Sequence, residues 1–158
     1  SSAASDVYKR QKYEAAFAVI PLLVTFIPML TDTGGNAGSQ SSTMIIRGMA
    51  VGEIEAGDIL RVIWKELRVG VIVGVLLGLV NYIQLLIRFP GQEMLCLTVV
   101  LSLLATVMLA KTIGCVLPIV AQVLHLDPAI MAAPLITTIV DAVSLIIYFQ
   151  LACSLLKI

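Results

Sequence analysis

The chain has 158 residues and a formal net charge of zero at pH 7. Hydrophobic residues make up 59% of it and charged residues 13%, whereas soluble globular domains have about half apolar and about a quarter charged residues. The mean hydropathy is +1.04. This composition excludes an ordinary soluble domain, and the lack of a basic excess gives no reason to expect a nucleic-acid partner. We therefore expect a protein embedded in a lipid bilayer.

Four stretches are long enough to cross a bilayer as helices, which takes about 20 residues each. They are residues 15–46, 69–87, 94–124 and 128–156. Lipid accepts only helices or closed barrels, and no alternating strand pattern is present. We predict an all-α fold, a polytopic membrane helical bundle with four main spans within residues 13–158. Residues 1–12 are polar and look non-native.

The first and third stretches contain helix breakers. In the first, which has Asp32 as its only charge, Pro28 precedes the glycine-rich residues 34–38. In the third, Gly114 and Pro118 follow one another closely. These residues predict broken or kinked helices, with irregular backbone at residues 34–38. Such backbone is tolerated at membrane depth only where protein or water satisfies its polar groups.

The most charged part of the chain, residues 47–68, lies between the first two spans. Asp58, Arg61, Lys65 and Arg68 recur at helical spacing, with apolar residues on another face. This pattern predicts an amphipathic helix lying at the membrane surface.

Two features of the second and third spans predict structural roles. Gly70, Gly74 and Gly78 repeat every fourth residue, which is typical of a helix face that another helix approaches closely. Lys111 lies inside the third span, and we expect its long side chain to extend toward the membrane interface.

The last stretch has the strongest functional signal. Asp141 is its only charge between Pro128 and Leu156, and burying a carboxylate at mid-bilayer depth costs at least about 2.5 to 3.5 kcal/mol. Thr137 and Ser144 fall on the same helical face as Asp141. Pro134, one turn before Thr137, is predicted to free a backbone carbonyl near this face. These observations predict an ion site.

Asp127 has two interpretations. If one helix ran without interruption from Asp127 to Asp141, two acidic side chains would lie along one path. Alternatively, Asp127 caps a helix, because Asp followed by Pro128 is an ordinary helix start. The sequence alone leaves both open.

Residues 28–41, 47–54 and 127–141 resemble, in order and spacing, the transmembrane domain of the MgtE family of magnesium channels. The likeness extends from about Glu14 to the C-terminus. It implies a homodimeric, multi-pass channel of the cell inner or plasma membrane, which conducts hydrated Mg²⁺ down its electrochemical gradient through a pore on the twofold axis. The first and last spans would line that pore. The family has five spans and a cytosolic magnesium-sensing region, so a further span and a sensor domain are expected in the full-length protein.

The resemblance also implies residue roles. Asp141 corresponds to the pore aspartate of the family and would be the selectivity site. The positions expected to face the metal ion are Asp141, Gly35, Gly38, Ala133, Thr137 and Asp127. The further positions that we predict to line the pore are Asp32, Gly34, Asn36, Pro134 and Ser144.

A hydrated Mg²⁺ suits such a site, because this ion sheds water reluctantly and can be held through its waters by few carboxylates. Two other functions stay open: a secondary transporter of divalent cations in which Asp141 couples ion movement, and a structural membrane subunit. We do not expect an enzyme. His125 is the only histidine, no nucleophile–base pair is evident, and residues 34–38 lack the Lys-Ser/Thr of a phosphate loop.

Overall fold

The computed structural model describes residues 2–158, apart from the side chains at positions 2, 13 and 16. The α-helices of this part of the chain are α1 (Ser2–Thr25), α2 (Ile27–Ala50), α3 (Ile59–Arg88), α4 (Glu93–Val123) and α5 (Ala133–Leu156). Short 3-10 helices, Ala56–Asp58 and Pro128–Met131, precede α3 and α5. Four helical stretches are long and apolar enough to cross a membrane: α1 together with α2, then α3, α4 and α5. The predicted all-α bundle with four spans is confirmed.

Helix α4 is the centre of the bundle, and α2, α3 and α5 all pack against it. The Thr106 side chain and the Ala110 carbonyl of α4 lie against Gly34 and Gly38 of α2, so these two helices run parallel. Gly70 and Gly78 of α3 lie against Met108 and Val100, so α3 runs antiparallel to α4. Helix α5 packs on both α2 and α4. About half of the most apolar part of α4 is buried by these contacts, against about a fifth for α3 and α5.

The interruption in the first span lies before the glycines. Helix α1 ends at Thr25 and α2 begins at Ile27, while residues 34–38 are helical. Pro28 has no N–H to continue the hydrogen-bond ladder, and the N–H of Phe26 donates instead to the Leu23 carbonyl at 3.2 Å. The prediction of irregular backbone at residues 34–38 is therefore wrong. No helix boundary separates residues 2–12 from the rest of α1.

The glycines stay helical because their helix face is tightly packed. A Cβ atom on Gly34 would come within 2.6 Å of Thr106 and 2.9 Å of Val140. A Cβ atom on Gly38 would meet Ile136 at 2.9 Å. Glycine costs about 1 kcal/mol relative to alanine in a helix interior, and close helix packing offsets this cost.

The third span is also uninterrupted, because α4 runs through Gly114 and Pro118 to Val123. Gly114 is in direct contact with the backbone of Gly38, where α2 and α4 cross. Pro118 is buried near the C-terminal end of the helix. The predicted break is therefore replaced by a close helix crossing.

The amphipathic segment is not a separate surface helix. Residues 59–68 are the first turns of α3, which continues to Arg88. Ile59 and Ile63 pack against a buried cluster that includes Ile45 and Ile119 from α2 and α4. Its apolar face is thus partly covered by protein.

The glycine ridge of α3 packs as predicted. Gly70, Gly74 and Gly78 are buried, and α4 side chains lie against all three. The opposite face of α3 is apolar and exposed, with Leu76 and Val80 at 60% and 66% exposure. Such a face is suited to lipid contact.

Candidate functional site

An open cavity of about 660 Å³ lies between α2 and α5. It contains two carboxylates, from Asp32 and Asp141, and among the described residues none of those lining it is basic. Asp32 is exposed and Asp141 is half-buried. The lining residues are Pro28, Met29, Thr31, Asp32, Gly35, Asn36, Thr137 and Asp141.

Close packing of α2 on α5 creates this cavity. The two helices run antiparallel, since Gly34 lies against Val140 and Gly38 against Ile136. Gly35 faces Thr137, and a Cβ atom at position 35 would come within 3.1 Å of the threonine methyl group. Because glycine occupies these positions, the α2 backbone approaches α5 closely. The neighbouring polar residues of α2 therefore share one surface with Asp141.

Hydrogen bonding orients the threonine of this surface. The hydroxyl of Thr137 donates to the Pro134 carbonyl at 3.0 Å, which leaves the hydroxyl oxygen able to accept a hydrogen bond from a water molecule. Pro134 lies in the first turn of α5, where its missing N–H breaks no intrahelical bond. The prediction that Pro134 frees a backbone carbonyl near Thr137 is therefore wrong. Ala133 and Pro134 are exposed but do not line the cavity.

Asp127 lies on a different element from Asp141. Its carboxylate accepts a hydrogen bond from the N–H of Ala129 at 3.0 Å and caps the 3-10 helix Pro128–Met131. Extended backbone at Ala132 separates that helix from α5. The capping interpretation is confirmed, and a continuous helix carrying both carboxylates is excluded.

Three other candidate positions lie inside the protomer. Gly34 and Gly38 are packed against α4 and α5 as described above. Ser144 is buried, and its hydroxyl donates to the Asp141 carbonyl at 2.9 Å. Ser144 belongs to the buried ridge of α5, and only Thr137 and Asp141 of the predicted polar face reach the cavity.

A buried polar cluster of Ser41, Glu66 and Lys111 was missed by the sequence reasoning. The Lys111 ammonium lies 3.5 Å from Oε2 of Glu66 and 3.3 Å from Oγ of Ser41, and the Ser41 hydroxyl donates to the same carboxylate oxygen at 2.5 Å. The expectation that Lys111 extends toward the interface is therefore wrong. A signal was present: Glu66 precedes Gly70, Gly74 and Gly78 at the same spacing, so it belongs to the packed ridge of α3.

The cavity offers oxygen ligands, which hard divalent cations prefer. Its polar groups are two carboxylates, the Asn36 amide and two threonine hydroxyls. Within residues 2–158, however, no group of three or more His, Cys, Asp or Glu side chains is placed to hold a metal ion. The donor set of a single chain therefore fits a cation that keeps most of its water better than one enclosed by protein ligands.

Comparison with known proteins agrees with these observations. The family model MgtE, described as a divalent cation transporter, matches residues 27–151, which include every residue lining the cavity. The chain belongs to the MgtE family. It is 34% identical over 147 residues to the magnesium transporter MgtE of Thermus thermophilus and 35% identical over 140 residues to that of Bacillus subtilis. The magnesium transporter MgtE of Enterococcus faecalis is 29% identical over 145 residues.

These matches cover 93%, 89% and 92% of the chain, but only 32%, 31% and 32% of the three relatives. The chain thus spans about a third of the length of the curated MgtE proteins that it matches. Membership in a divalent cation transporter family and four apolar helical stretches make it a multi-pass membrane protein.

Proposed function

We propose that this chain forms the ion pathway of a magnesium transporter of the cell inner or plasma membrane, and that Asp141 is its selectivity residue. The observation that supports this most directly is the acidic cavity between α2 and α5. Two carboxylates share it without a basic lining residue, so a cation is the ligand that its charge favours. The relatives are named magnesium transporters, which selects Mg²⁺ among the cations that oxygen groups bind.

A homodimer would complete this site. The cavity is open on one side of the protomer, between the two helices that carry the matched motifs. A twofold axis beside α2 and α5 would bring a second Asp141 to the same site. The repulsion between two carboxylates would then be relieved by one divalent cation between them. This arrangement makes the pore a property of the dimer rather than of one chain.

The ion would be recognised with its waters in place. Mg²⁺ binds water tightly in octahedral geometry, and proteins often hold it through one or two carboxylates while water fills the other positions. The Thr137 hydroxyl oxygen and the Asn36 amide oxygen would accept hydrogen bonds from those waters. An ion that keeps its shell avoids most of the dehydration cost, which favours channel-like passage. In the full-length protein, a cytosolic magnesium sensor would regulate this passage.

The test is Mg²⁺ influx into liposomes that contain the purified protein, followed with a trapped Mg²⁺ indicator. A channel carries Mg²⁺ down its gradient without a proton or sodium gradient. A coupled transporter requires such a gradient and accumulates Mg²⁺ against its own. Influx that depends on an imposed proton or sodium gradient would replace the channel by the secondary transporter, and no Mg²⁺ influx in any condition would reject the proposed function.

A further inference from the structure

We propose that Glu66 is a positioning residue that holds the Lys111 ammonium away from the acidic cavity, and so keeps that cavity attractive to a divalent cation. This inference rests on the proposed function. It concerns residues of α3 and α4, which do not line the Asp141 cavity.

Glu66 and Lys111 form an ion pair inside the bundle. Their side chains are only 6% and 5% exposed, and Ser41 bridges them by donating to the carboxylate and accepting from the ammonium. A buried pair of this kind is seldom an efficient source of stability, since replacing both charges by apolar groups is often neutral or stabilising. Packing alone therefore does not account for this cluster. Its position relative to the ion cavity suggests another role.

Lys111 also lines a second cavity of about 500 Å³, which shares Asn36 with the cavity that contains Asp141. Because Asn36 lines both cavities, the cavity that Lys111 lines adjoins the one that contains Asp32 and Asp141. Within the described chain, Lys111 is the only basic residue that lines either cavity. The lining residues of the second cavity are Thr33, Asn36, Ala37, Gln40, Val73, Leu77, Val107 and Lys111.

The flexible side chain of Lys111 allows its ammonium group to occupy two positions. With Glu66 ionised, the ammonium is held between Glu66 and Ser41. Without that carboxylate, an unpaired ammonium in an apolar bundle gains by moving to the polar second cavity, beside Asn36 and Gln40. There its positive charge would oppose a divalent cation beside Asp141. Glu66 thus acts on ion binding through Lys111.

The decisive comparison is Glu66→Gln against the double variant Glu66→Gln with Lys111→Met. The single variant keeps the shape and the hydrogen bond to Ser41 but releases the ammonium. We expect it to raise the half-saturating Mg²⁺ concentration of liposome influx by about tenfold, the effect of about 1.4 kcal/mol of added repulsion. The double variant removes the released charge and should return to within about threefold of the parent protein. Lys65 is an exposed neighbour of Glu66. The matched control Lys65→Gln should leave the half-saturating Mg²⁺ concentration unchanged.

A chemical readout separates this inference from the proposed function. A water-soluble amine-reactive reagent, followed by mass spectrometry of the peptide containing residue 111, should modify Lys111 in the Glu66→Gln variant and spare it in the parent protein. If the parent carries no Mg²⁺, the proposed function fails, while labelling of Lys111 still shows whether Glu66 holds it.

Three results would overturn the inference. Equal impairment of the single and double variants would mean that Glu66 is needed only for packing. Unchanged Mg²⁺ affinity in the Glu66→Gln variant would mean that the lysine stays in place or loses its proton. Protection of Lys111 from the reagent in that variant would show that no movement takes place. Exchange of the two charges, Glu66→Lys with Lys111→Glu, keeps a neutral pair and provides a second folded variant should the first be unstable.

Discussion

Asp141 is the only charged residue of α5, and it faces a cavity rather than the packed interior. Asp141→Asn keeps the size of the side chain but removes one charge per chain, and two per site in a dimer. In a partly hydrated pore each charge contributes about 1 to 3 kcal/mol to the binding of a divalent ion. We expect Mg²⁺ to bind at least about tenfold more weakly, and the preference for divalent over monovalent cations to be lost. Isothermal titration and liposome influx measure the two effects.

Ser144→Ala is the matched control for this substitution. Ser144 lies one turn from Asp141, but it is buried and its hydroxyl donates to the backbone. Its removal should leave ion selectivity intact and cost at most about 1 kcal/mol of stability. Unaltered selectivity in a folded, dimeric Asp141→Asn protein would move the selectivity site to Asp32.

A single hydroxyl ties α5 to the end of α1. The fully buried Tyr148 donates to the Leu23 carbonyl at 2.7 Å, at the point where the ladder between α1 and α2 is interrupted. Tyr148→Phe removes this donor and should lower stability by about 0.5 to 1.5 kcal/mol. Thermal unfolding in detergent detects the change, with Tyr8→Phe, at an exposed position, as the control. A Tyr148→Phe protein as stable as the parent would show that this bond is replaced, for example by water.

At the scale of the helices, the crossing of α2 and α4 depends on two glycines in contact. A Cβ atom on Gly114 would overlap the backbone of Gly38, which cannot move aside as a side chain could. Gly114→Ala gains about 1 kcal/mol of helix propensity but forces the helices apart, and overpacking of this kind costs about 1 to 3 kcal/mol or more. We expect a lower unfolding temperature and weaker Mg²⁺ transport, because α2 carries most of the residues that line the cavity.

Gly57→Ala is the control for that substitution, since nothing lies within 4 Å of a Cβ atom at Gly57. It should leave both unfolding temperature and transport near those of the parent. If Gly114→Ala were equally harmless, the helix crossing would have to be more adaptable than its backbone contact indicates.

The sequence predicted the helices well and their interruptions poorly. Hydropathy located the spans, and the spacing of Gly70, Gly74 and Gly78 predicted the face of α3 that packs on α4. The glycines at residues 34–38 were expected to break α2, because local propensity treats glycine as a breaker. In the bundle they provide room for Thr106 and Val140. This contact between distant segments has no local signature.

The same limit applies to the site. Asp141 and Thr137 were found because helical periodicity places them on one face of one helix. Ser144 shares that periodicity but is buried, because it belongs to the ridge of α5 that also includes Val140 and Tyr148 and that packs into the bundle. The pairing of Glu66 with Lys111 joins two helices across a loop, and a charge inside an apolar span gives no indication of its partner. Only the packed ridge that includes Glu66 could have suggested it.

At the scale of the whole molecule, the proposed dimer places the α2–α5 cavity on the twofold axis and the apolar face of α3 toward lipid. In a background without Cys96, Cys115 and Cys153, a cysteine at Thr137 should form a disulfide between subunits on mild oxidation. A cysteine at Val80, on the exposed face of α3, should not, because a disulfide requires Cα atoms within about 7 Å. Non-reducing electrophoresis of protein oxidised in membranes gives the yield.

Efficient linking at position 80 with none at position 137 would place the dimer interface on α3. The acidic cavity would then face lipid or a different partner, and a shared site for two Asp141 carboxylates would be excluded.

The size and charge of the whole site determine whether the ion keeps its water shell. A cavity of about 660 Å³ with few carboxylates has room for a cation with its first water shell. An inert octahedral ammine complex of similar size cannot exchange its ligands, so it should occupy the site and inhibit Mg²⁺ influx by competition. Ca²⁺ prefers six to eight oxygens at longer distances and should pass poorly through a site that fits an octahedral shell. Equal Ca²⁺ and Mg²⁺ influx without inhibition by the ammine complex would show instead that the ion loses water in the pore. A dehydrated ion would need more oxygen ligands than Asp32, Asp141 and their neighbours provide in one chain. The partner subunit would then have to contribute ligands directly.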